Sequence, residues 1–154
     1  MLGLYPTLAL IVFIGIVFVF LAIGREMPAK FVTVKIGKAT VNAELADNEF
    51  KQMRGLMFRE SLPKDGGMLF DFAREGEHGI WMMNMSMPID VVWMDKEKRV
   101  TKVMEDVQPC DALLVCPVHY SGKRDKYVLE LNSGYAKSHG IREGSVARFG
   151  KSLI

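Results

Sequence analysis

The sequence has little of what would assign a function directly. Its 154 residues include two cysteines and three histidines, and the formal net charge is only +2. Basic and acidic residues are interleaved, which argues against the basic stripe of a nucleic-acid-binding surface. No internal repeat, low-complexity tract or long Gly/Ser linker is present, so the composition favours one ordinary globular domain with no nucleic-acid partner.

Charged side chains are absent from residues 2–24, and residues 8–23 are apolar throughout apart from Gly15. A run of this length is near the lower limit for a helix that crosses a bilayer. A retained anchor and a cleaved secretory signal are the two alternatives, and the lack of Lys or Arg before the apolar run favours the anchor. We therefore expect a transmembrane anchor or uncleaved signal over residues 1–25, a joint over 26–30, a β-rich α+β domain over 31–150 and a tail over 151–154.

The side of the membrane on which the domain lies is open at this point. The basic residues near the anchor all follow it, which under the positive-inside rule favours a cytoplasmic domain. They are Arg25, Lys30, Lys35 and Lys38. A disulfide between the two cysteines would favour an oxidising compartment instead.

Short apolar segments separated by turn residues predict the secondary structure. Near-alternating residues 31–36 and 39–45 around Gly37 predict a hairpin, and Asp47 as N-cap with Gly55 as stop predicts a helix over 48–54. Further strands are predicted over 68–72, 80–83, 89–94, 99–107, 126–131 and 145–149, with a loop over 73–79 and a second helix over 133–139. No helix of full crossover length separates the strands. This pattern predicts an α+β fold with a mainly antiparallel, rolled or barrel-like sheet and two short helices, preceded by one N-terminal transmembrane helix.

Several motifs stand out in order along the domain. They are Arg54-Gly-Leu-Met-Phe-Arg59, Gly67-Met-Leu-Phe70, Trp81-Met82 with Asn84, Pro88-Ile-Asp90, and Tyr127-Val-Leu-Glu-Leu131 with Gly134. Over residues 32–149 the chain resembles the domain of unknown function 192 family. The resemblance implies a compact β-rich α+β domain with no established reaction. The resemblance also implies that such a domain often follows a signal peptide or anchor, which favours a location outside the cytoplasm.

The leading candidate site comes from these motifs. Trp81, Asn84 and Asp90 supply an aromatic ring, an amide and a carboxylate, which together can hold a small polar ligand. The predicted ligand-binding set is Arg59, Trp81, Met82, Asn84, Pro88, Asp90 and Glu130. A structural interpretation competes with it, because Asn84 can bond a turn, Trp81 can lie in the core, and Asp90 can cap a loop or pair with Arg59.

A hydrolase is the second hypothesis. Alternation within the strand around Glu130 points its side chain inward with Val128, and a pairing of Glu130 with Asp90 would resemble a general acid and base. Nothing in the sequence identifies a nucleophile or a water-activating metal, so a buried Arg-carboxylate pair is the favoured interpretation. We expect a protein that is not an enzyme.

Metal handling is the third hypothesis. Met83, Met85 and Met87 would share one face of an extended segment and could bind copper, although methionines at this spacing more often pack. Cys110 and Cys116 are spaced for a small-loop disulfide, with free thiols or a zinc site with His119 as the alternatives. We predict the disulfide and no cofactor. The leading prediction is therefore a membrane-anchored, non-catalytic module for a small ligand or a protein partner.

Overall fold

The domain consists mainly of β-structure. In the computed structural model, which describes residues 29–110 and 116–150, the strands are Phe31–Ile36 (β1), Ala39–Ala46 (β2), Gly66–Gly76 (β3), Ile80–Trp81 (β4), Ile89–Met94 (β5), Val100–Val107 (β6), Val118–His119 (β7), Asp125–Asn132 (β8) and Ala147–Phe149 (β9). Helices Glu49–Arg54 (α1) and Tyr135–His139 (α2) are both short.

Seven of these strands form one curled sheet in the order β6-β5-β8-β3-β2-β1-β9, and β4 pairs with β7. The pairings within the large sheet are antiparallel except β2 with β3, which are parallel and are joined through α1. The curl brings the two sheet edges together at one end, where Arg99 bridges to Val146. The predicted rolled, mainly antiparallel sheet with two short helices is confirmed at this level.

The predicted transmembrane helix over residues 1–25 and the predicted tail over 151–154 lie outside the described residues. Within residues 29–110 and 116–150, no helix combines the length and apolar character needed to cross a membrane.

Two hydrophobic cores lie on opposite faces of the sheet, because successive side chains of a strand point to opposite faces. The inner core draws side chains from all seven strands and from α2; its members include Val34, Val41, Leu69, Val92, Val100, Leu129, Ala136 and Ala147. The outer core covers the other face of β3, β5 and β8; its members include Leu56, Met68, Phe70, Ile80, Met82, Val91, Trp93 and Val128. The candidate site is built on the outer core.

Helix α1 begins one residue later than the sequence predicts. Asn48 is the N-cap in place of Asp47, and its side-chain oxygen accepts the N–H of Lys51 at 3.0 Å. Asp47 forms an ion pair with Lys30 at 3.3 Å. Both residues can cap a helix, so the local sequence did not distinguish them.

The strands β3, β4 and β7 depart from the predictions. β3 continues to Gly76, so most of the predicted loop over 73–79 is strand. Its pairing with β8 shifts register after Asp71, and this shift removes the alternation by which a strand is recognised in a sequence. β4 ends at Trp81 and not at 83. β7 was not predicted, because two residues are too few to show a period.

Asp90 links β5 to the start of α2 from within the fold. Its side chain is 0% exposed. One carboxylate oxygen accepts the N–H of Asp106 at 2.9 Å and that of Gly134 at 3.1 Å, and the other accepts the N–H of Ala136 at 2.8 Å. Since Gly134 has no side chain to cap the helix, Asp90 supplies the acceptor that the first turn of α2 needs.

We therefore expect Asp90→Ala to lower the free energy of unfolding by about 3 kcal/mol, because it leaves three N–H groups without an acceptor, one of them on the buried Ala136. Urea denaturation of the full-length chain measures this change. Glu97→Ala is the matched control, because the Glu97 side chain is 63% exposed. Equal stability of the two variants would contradict the capping role of Asp90.

Candidate functional site

An apolar groove opens on the outer side of the domain. Its lining residues are Phe50, Met53, Arg54, Met57, Phe58, Trp81 and Met83, and its volume is about 420 Å³. Helix α1 buries none of its residues, so Phe50 is left 62% exposed. Phe58 is 70% exposed on the following loop, and Trp81 is 41% exposed on β4. Contiguous exposed aromatic and methionine side chains mark interaction sites more often than ordinary surface.

The rim of the groove is held by two loops in an unfavourable backbone conformation. Phe58 and Asn84 have φ angles of 64° and 56°, in the left-handed region that costs an L-residue about 1 kcal/mol or more. The N–H of Phe58 donates to the carbonyl oxygen of Asn84 at 2.9 Å. The Asn84 amide also reaches the sulfur of Met57 at 3.9 Å. These contacts fix a conformation that presents the Phe58 ring to solvent, and such strain is characteristic of functional positions.

The segment that carries Trp81 and Met83 is held by the small sheet and lies beside the disulfide. Trp81 pairs with Val118 across β4 and β7. Next to this pair, Met83 bridges to Cys110, whose N–H donates to the carbonyl oxygen of Met82 at 3.2 Å. Cys110 and Cys116 are disulfide-bonded, with their Cα atoms 5.7 Å apart. The predicted disulfide is therefore present, and it lies beside the segment that carries Trp81.

A small cavity, here called the glutamate cavity, adjoins the groove. It has a volume of about 40 Å³. The groove and the cavity share Arg54, Met57 and Trp81, so the two adjoin each other along these three side chains. The remaining lining residues of the cavity are Gln52, Gly55, Leu56, Phe70, Gly79, Ile80, Met85 and Glu130.

Glu130 is placed in this cavity by strand register. It lies opposite Met68 on β3 and opposite Val91 on β5, and both neighbours belong to the outer core. Only 4% of Glu130 is exposed, and its Oε2 atom has no hydrogen-bond partner among the described residues. Burial raises the pKa of Glu130 from 4.5 to about 8, while the Arg59 guanidinium opposes the shift. Glu130 is thus a neutral carboxylic acid at pH 7.

Arg59 does not complete an ion pair with Asp90, which was one of the sequence-based alternatives. Its guanidinium binds the carboxylate of Glu44 at 2.5 Å. Glu44 lies opposite Met68 on β2, so Glu44 and Glu130 point to the same face on either side of β3. One of these two carboxyl groups has a cationic partner and the other does not.

The residues of the predicted ligand-binding set are only partly brought together. Trp81 and Glu130 line the glutamate cavity, and Asn84 supports the rim. Met82 is buried in the outer core. Pro88 is half-buried just before β5. The positive charge of Arg59 opposes the rise in the pKa of Glu130. Asp90 lies on the other face of the sheet, opposite Leu131 of the inner core.

The pairing of Asp90 with Glu130 that the hydrolase hypothesis requires is not present. Asp90 is opposite Leu131 in the register of β5 and β8, whereas Val91 is opposite Glu130. Leu131 belongs to the inner core and Val91 to the outer core, so the sheet separates the two carboxyl groups. They share no cleft in which one could act as acid and the other as base.

The methionine-rich segment divides among different surroundings. Met83 lines the groove, Met85 lines the glutamate cavity, and Met87 packs against the outer core. Across residues 29–110 and 116–150, no three His, Cys, Asp or Glu side chains are grouped as metal ligands. The cysteines that a zinc site would need are joined to each other.

Sequence reasoning missed the groove residues of α1 and its following loop. Phe50 and Met53 are separated by three residues and therefore share one helix face. Met57 and Phe58 lie within a motif already singled out, so the available signal was a short helix whose apolar residues continue into that motif.

The fold and the site together define a small β-rich domain with an apolar groove that ends at a buried acid. Residues 32–149 match the DUF192 family, described as Uncharacterized ACR, and the chain belongs to that family. No curated protein matches the chain.

Two solved structures are similar. One is described as a "putative transcription regulator" from Sinorhizobium meliloti 1021, with 28% identity, a TM-score of 0.73, and coverage of 82% of this chain and 98% of that chain. The other is a protein of unknown function from Novosphingobium aromaticivorans DSM 12444, with 29% identity, a TM-score of 0.69, and coverage of 77% and 83%.

The raised pKa of Glu130 predicts a particular pH dependence of stability. The folded domain binds this proton more tightly than the unfolded chain, so the contribution is fully present below pH 4.5 and is lost as the pH rises to about 8. The free energy of unfolding is expected to fall through this group by on the order of 5 kcal/mol over that interval.

Urea titrations from pH 4.5 to 8.5 compare the wild type with Glu130→Gln, which has no acid to titrate at this position. The difference in unfolding free energy between the two chains should change steadily with pH, and the control Glu97→Gln should follow the wild type. Parallel curves for wild type and Glu130→Gln would show that Glu130 titrates normally.

Proposed function

We propose that this domain is a non-catalytic binding module whose groove takes the apolar body of a small ligand. The observation that carries the proposal is the adjacency of the groove and the glutamate cavity, since both are lined by Arg54, Met57 and Trp81. Small-molecule sites are typically apolar concavities with a few well-placed polar groups. The volume of about 420 Å³ lies within the usual range for such sites.

A small ligand is favoured over a large protein surface by the shape of the site. Three aromatic side chains, those of Phe50, Phe58 and Trp81, line the same groove. An inserted apolar group can therefore contact several rings at once. Burying one aromatic ring in this way contributes about 1.5–3 kcal/mol.

The function as a hydrolase receives no support from the geometry, because the two carboxyl groups that it requires lie on opposite faces of the sheet. Among the described residues that line the glutamate cavity with Glu130, none is a nucleophile or a second carboxylate that could act as a base. Binding is the chemistry that an isolated neutral acid at the end of an apolar groove supports.

We also propose that residues 1–25 anchor the domain to a membrane, with the domain on the extracytoplasmic side. The uncharged run over 2–24 supports the anchor, and the Cys110–Cys116 disulfide supports an oxidising compartment.

Protease added to intact spheroplasts that express the full-length chain should remove the domain, while a cytoplasmic marker stays intact. Survival of the domain until the cells are lysed would place it in the cytoplasm. Release of the domain by salt alone would contradict the anchor.

Ligand binding can be followed by fluorescence of the chain's own tryptophans. The chain has two, of which Trp93 is 0% exposed and Trp81 lies in the groove. We expect 4-phenylbutanamide, a neutral molecule with an apolar body, to shift the emission of Trp81 in a saturable manner. Trp81→Phe should abolish the signal.

Phe50→Ser and Phe58→Ser should each raise the dissociation constant by about tenfold, because each removes one aromatic contact. Val146→Ser is the matched control, since Val146 is 47% exposed but lies at the seam between the sheet edges. Equal affinities for all four chains, or a signal that does not saturate, would contradict binding in the groove.

A further inference from the structure

Glu130 gives the inner end of the site a chemical preference that the apolar groove lacks. The cavity beside it has a volume of about 40 Å³. Each water-sized group needs roughly 10–15 Å³ of such volume, so the cavity holds about three or four of them. A head group of two or three heavy atoms fits this space, whereas an aromatic ring does not.

We propose that the glutamate cavity receives a neutral head group that carries both a hydrogen-bond donor and an acceptor, of which a primary carboxamide is the simplest. This assignment rests on the proposed function, because the apolar body attached to the head group must lie in the groove.

The need for hydrogen bonding follows from the unpartnered Oε2 atom of Glu130. A buried polar atom without a partner costs about 1–3 kcal/mol, and a ligand that supplies the partner recovers that free energy. A protonated carboxyl group has one O–H donor and a carbonyl acceptor side by side. A carboxamide presents the complementary acceptor and donor, so the two groups can form a pair of parallel hydrogen bonds.

The walls around Glu130 favour a head group without charge. Apolar residues lie opposite Glu130 on both adjoining strands, Met68 on β3 and Val91 on β5, and Phe70 and Ile80 line the cavity with it. A carboxylate head group would lose its hydration among these side chains, and Arg54 in the cavity lining offsets only part of that loss. It would also face Glu130 as a second acid.

Nearby cations disfavour an ammonium head group. Arg54 of α1 lines the cavity, and the charge of Arg59 acts on Glu130. Glu44 lies opposite Met68 on β2 and points to the same face of the sheet as Glu130, but it is already bound to Arg59 at 2.5 Å. An ammonium would therefore have to ionise Glu130 and bury the resulting ion pair beside two guanidinium groups, which is costly.

A set of ligands with one apolar body and different head groups tests the proposal. The probes are 4-phenylbutanamide, 4-phenylbutylamine, 4-phenylbutyrate and butylbenzene, and the full-length chain is titrated with each at pH 6.5 using Trp81 emission. The amide should bind about tenfold or more tightly than the other three. This preference is the expected result of one pair of hydrogen bonds at Glu130.

Two variants at one position separate hydrogen bonding from shape. Glu130→Gln keeps a neutral donor and acceptor, so it should retain the preference for the amide at both pH 6.5 and pH 9. Wild type should lose affinity for the amide by about tenfold between these values as Glu130 ionises. Glu130→Met should bind the amide and butylbenzene equally, and circular dichroism checks that each chain is folded.

The outcomes distinguish this proposal from the proposed function. If the four probes bind with equal affinity and Phe50→Ser weakens all of them, the groove binds ligands but the head-group assignment is wrong. A preference for the amine or the carboxylate would overturn the assignment in the same way. If no probe binds in a manner sensitive to Phe50→Ser, the proposed function itself is contradicted.

Discussion

Burial of the Glu130 carboxyl group is the constraint on which the arrangement of the site depends. An ionised carboxylate among Met68, Phe70 and Val91 would be strongly destabilising, so the group is held as a neutral acid instead. The placement of the charged side chains near Glu130 suits the same neutral state. Arg59 is close enough to affect Glu130, but its ion pair is with Glu44. The inner end of the groove consequently has a polar group without a fixed charge.

The two faces of the sheet have different roles, one in the stability of the fold and the other in ligand binding. Asp90 points toward the inner core and accepts hydrogen bonds from three backbone N–H groups, which fixes α2 against β5. Glu130, one strand away, points to the opposite face and has an unpartnered oxygen. Two acids that look equivalent in sequence therefore have different physical roles. The acid whose hydrogen bonds are satisfied holds the fold together, and the unsatisfied one is available to a ligand.

Much of the fold could be predicted because its local signals are strong. The hairpin of β1 and β2 alternates clearly, and Gly55 and Gly140 end the two helices where expected. The orientation of Asp90 could not be predicted in the same way. All six residues of β5 are buried, so alternation of polar and apolar residues does not tell which face each side chain occupies. Only the pairing of β5 with β8 decides that question.

The exposure of the groove residues was beyond sequence reasoning for a different physical reason. Phe50 and Met53 would ordinarily be assigned to a core, and their exposure arises because no element of the described part of the chain packs over α1. Such an absence is a tertiary property with no local signature. Trp81 was identified as a candidate from its motif, but Phe50 and Phe58, which line the groove with it, lie in a segment some 25 residues earlier in the chain.

The state of Glu130 in the folded domain is the central claim, and its carboxyl carbon reports that state directly. In the full-length chain labelled with carbon-13 at the glutamate carboxyl positions, the Glu130 signal is assigned by its loss in Glu130→Gln and followed by NMR as the pH is raised. The account predicts a midpoint near 8, well above the ordinary value of 4.5 for a glutamate. A midpoint near 4.5 would mean that Glu130 is ionised at neutral pH, and it would contradict the neutral acid on which the site is built.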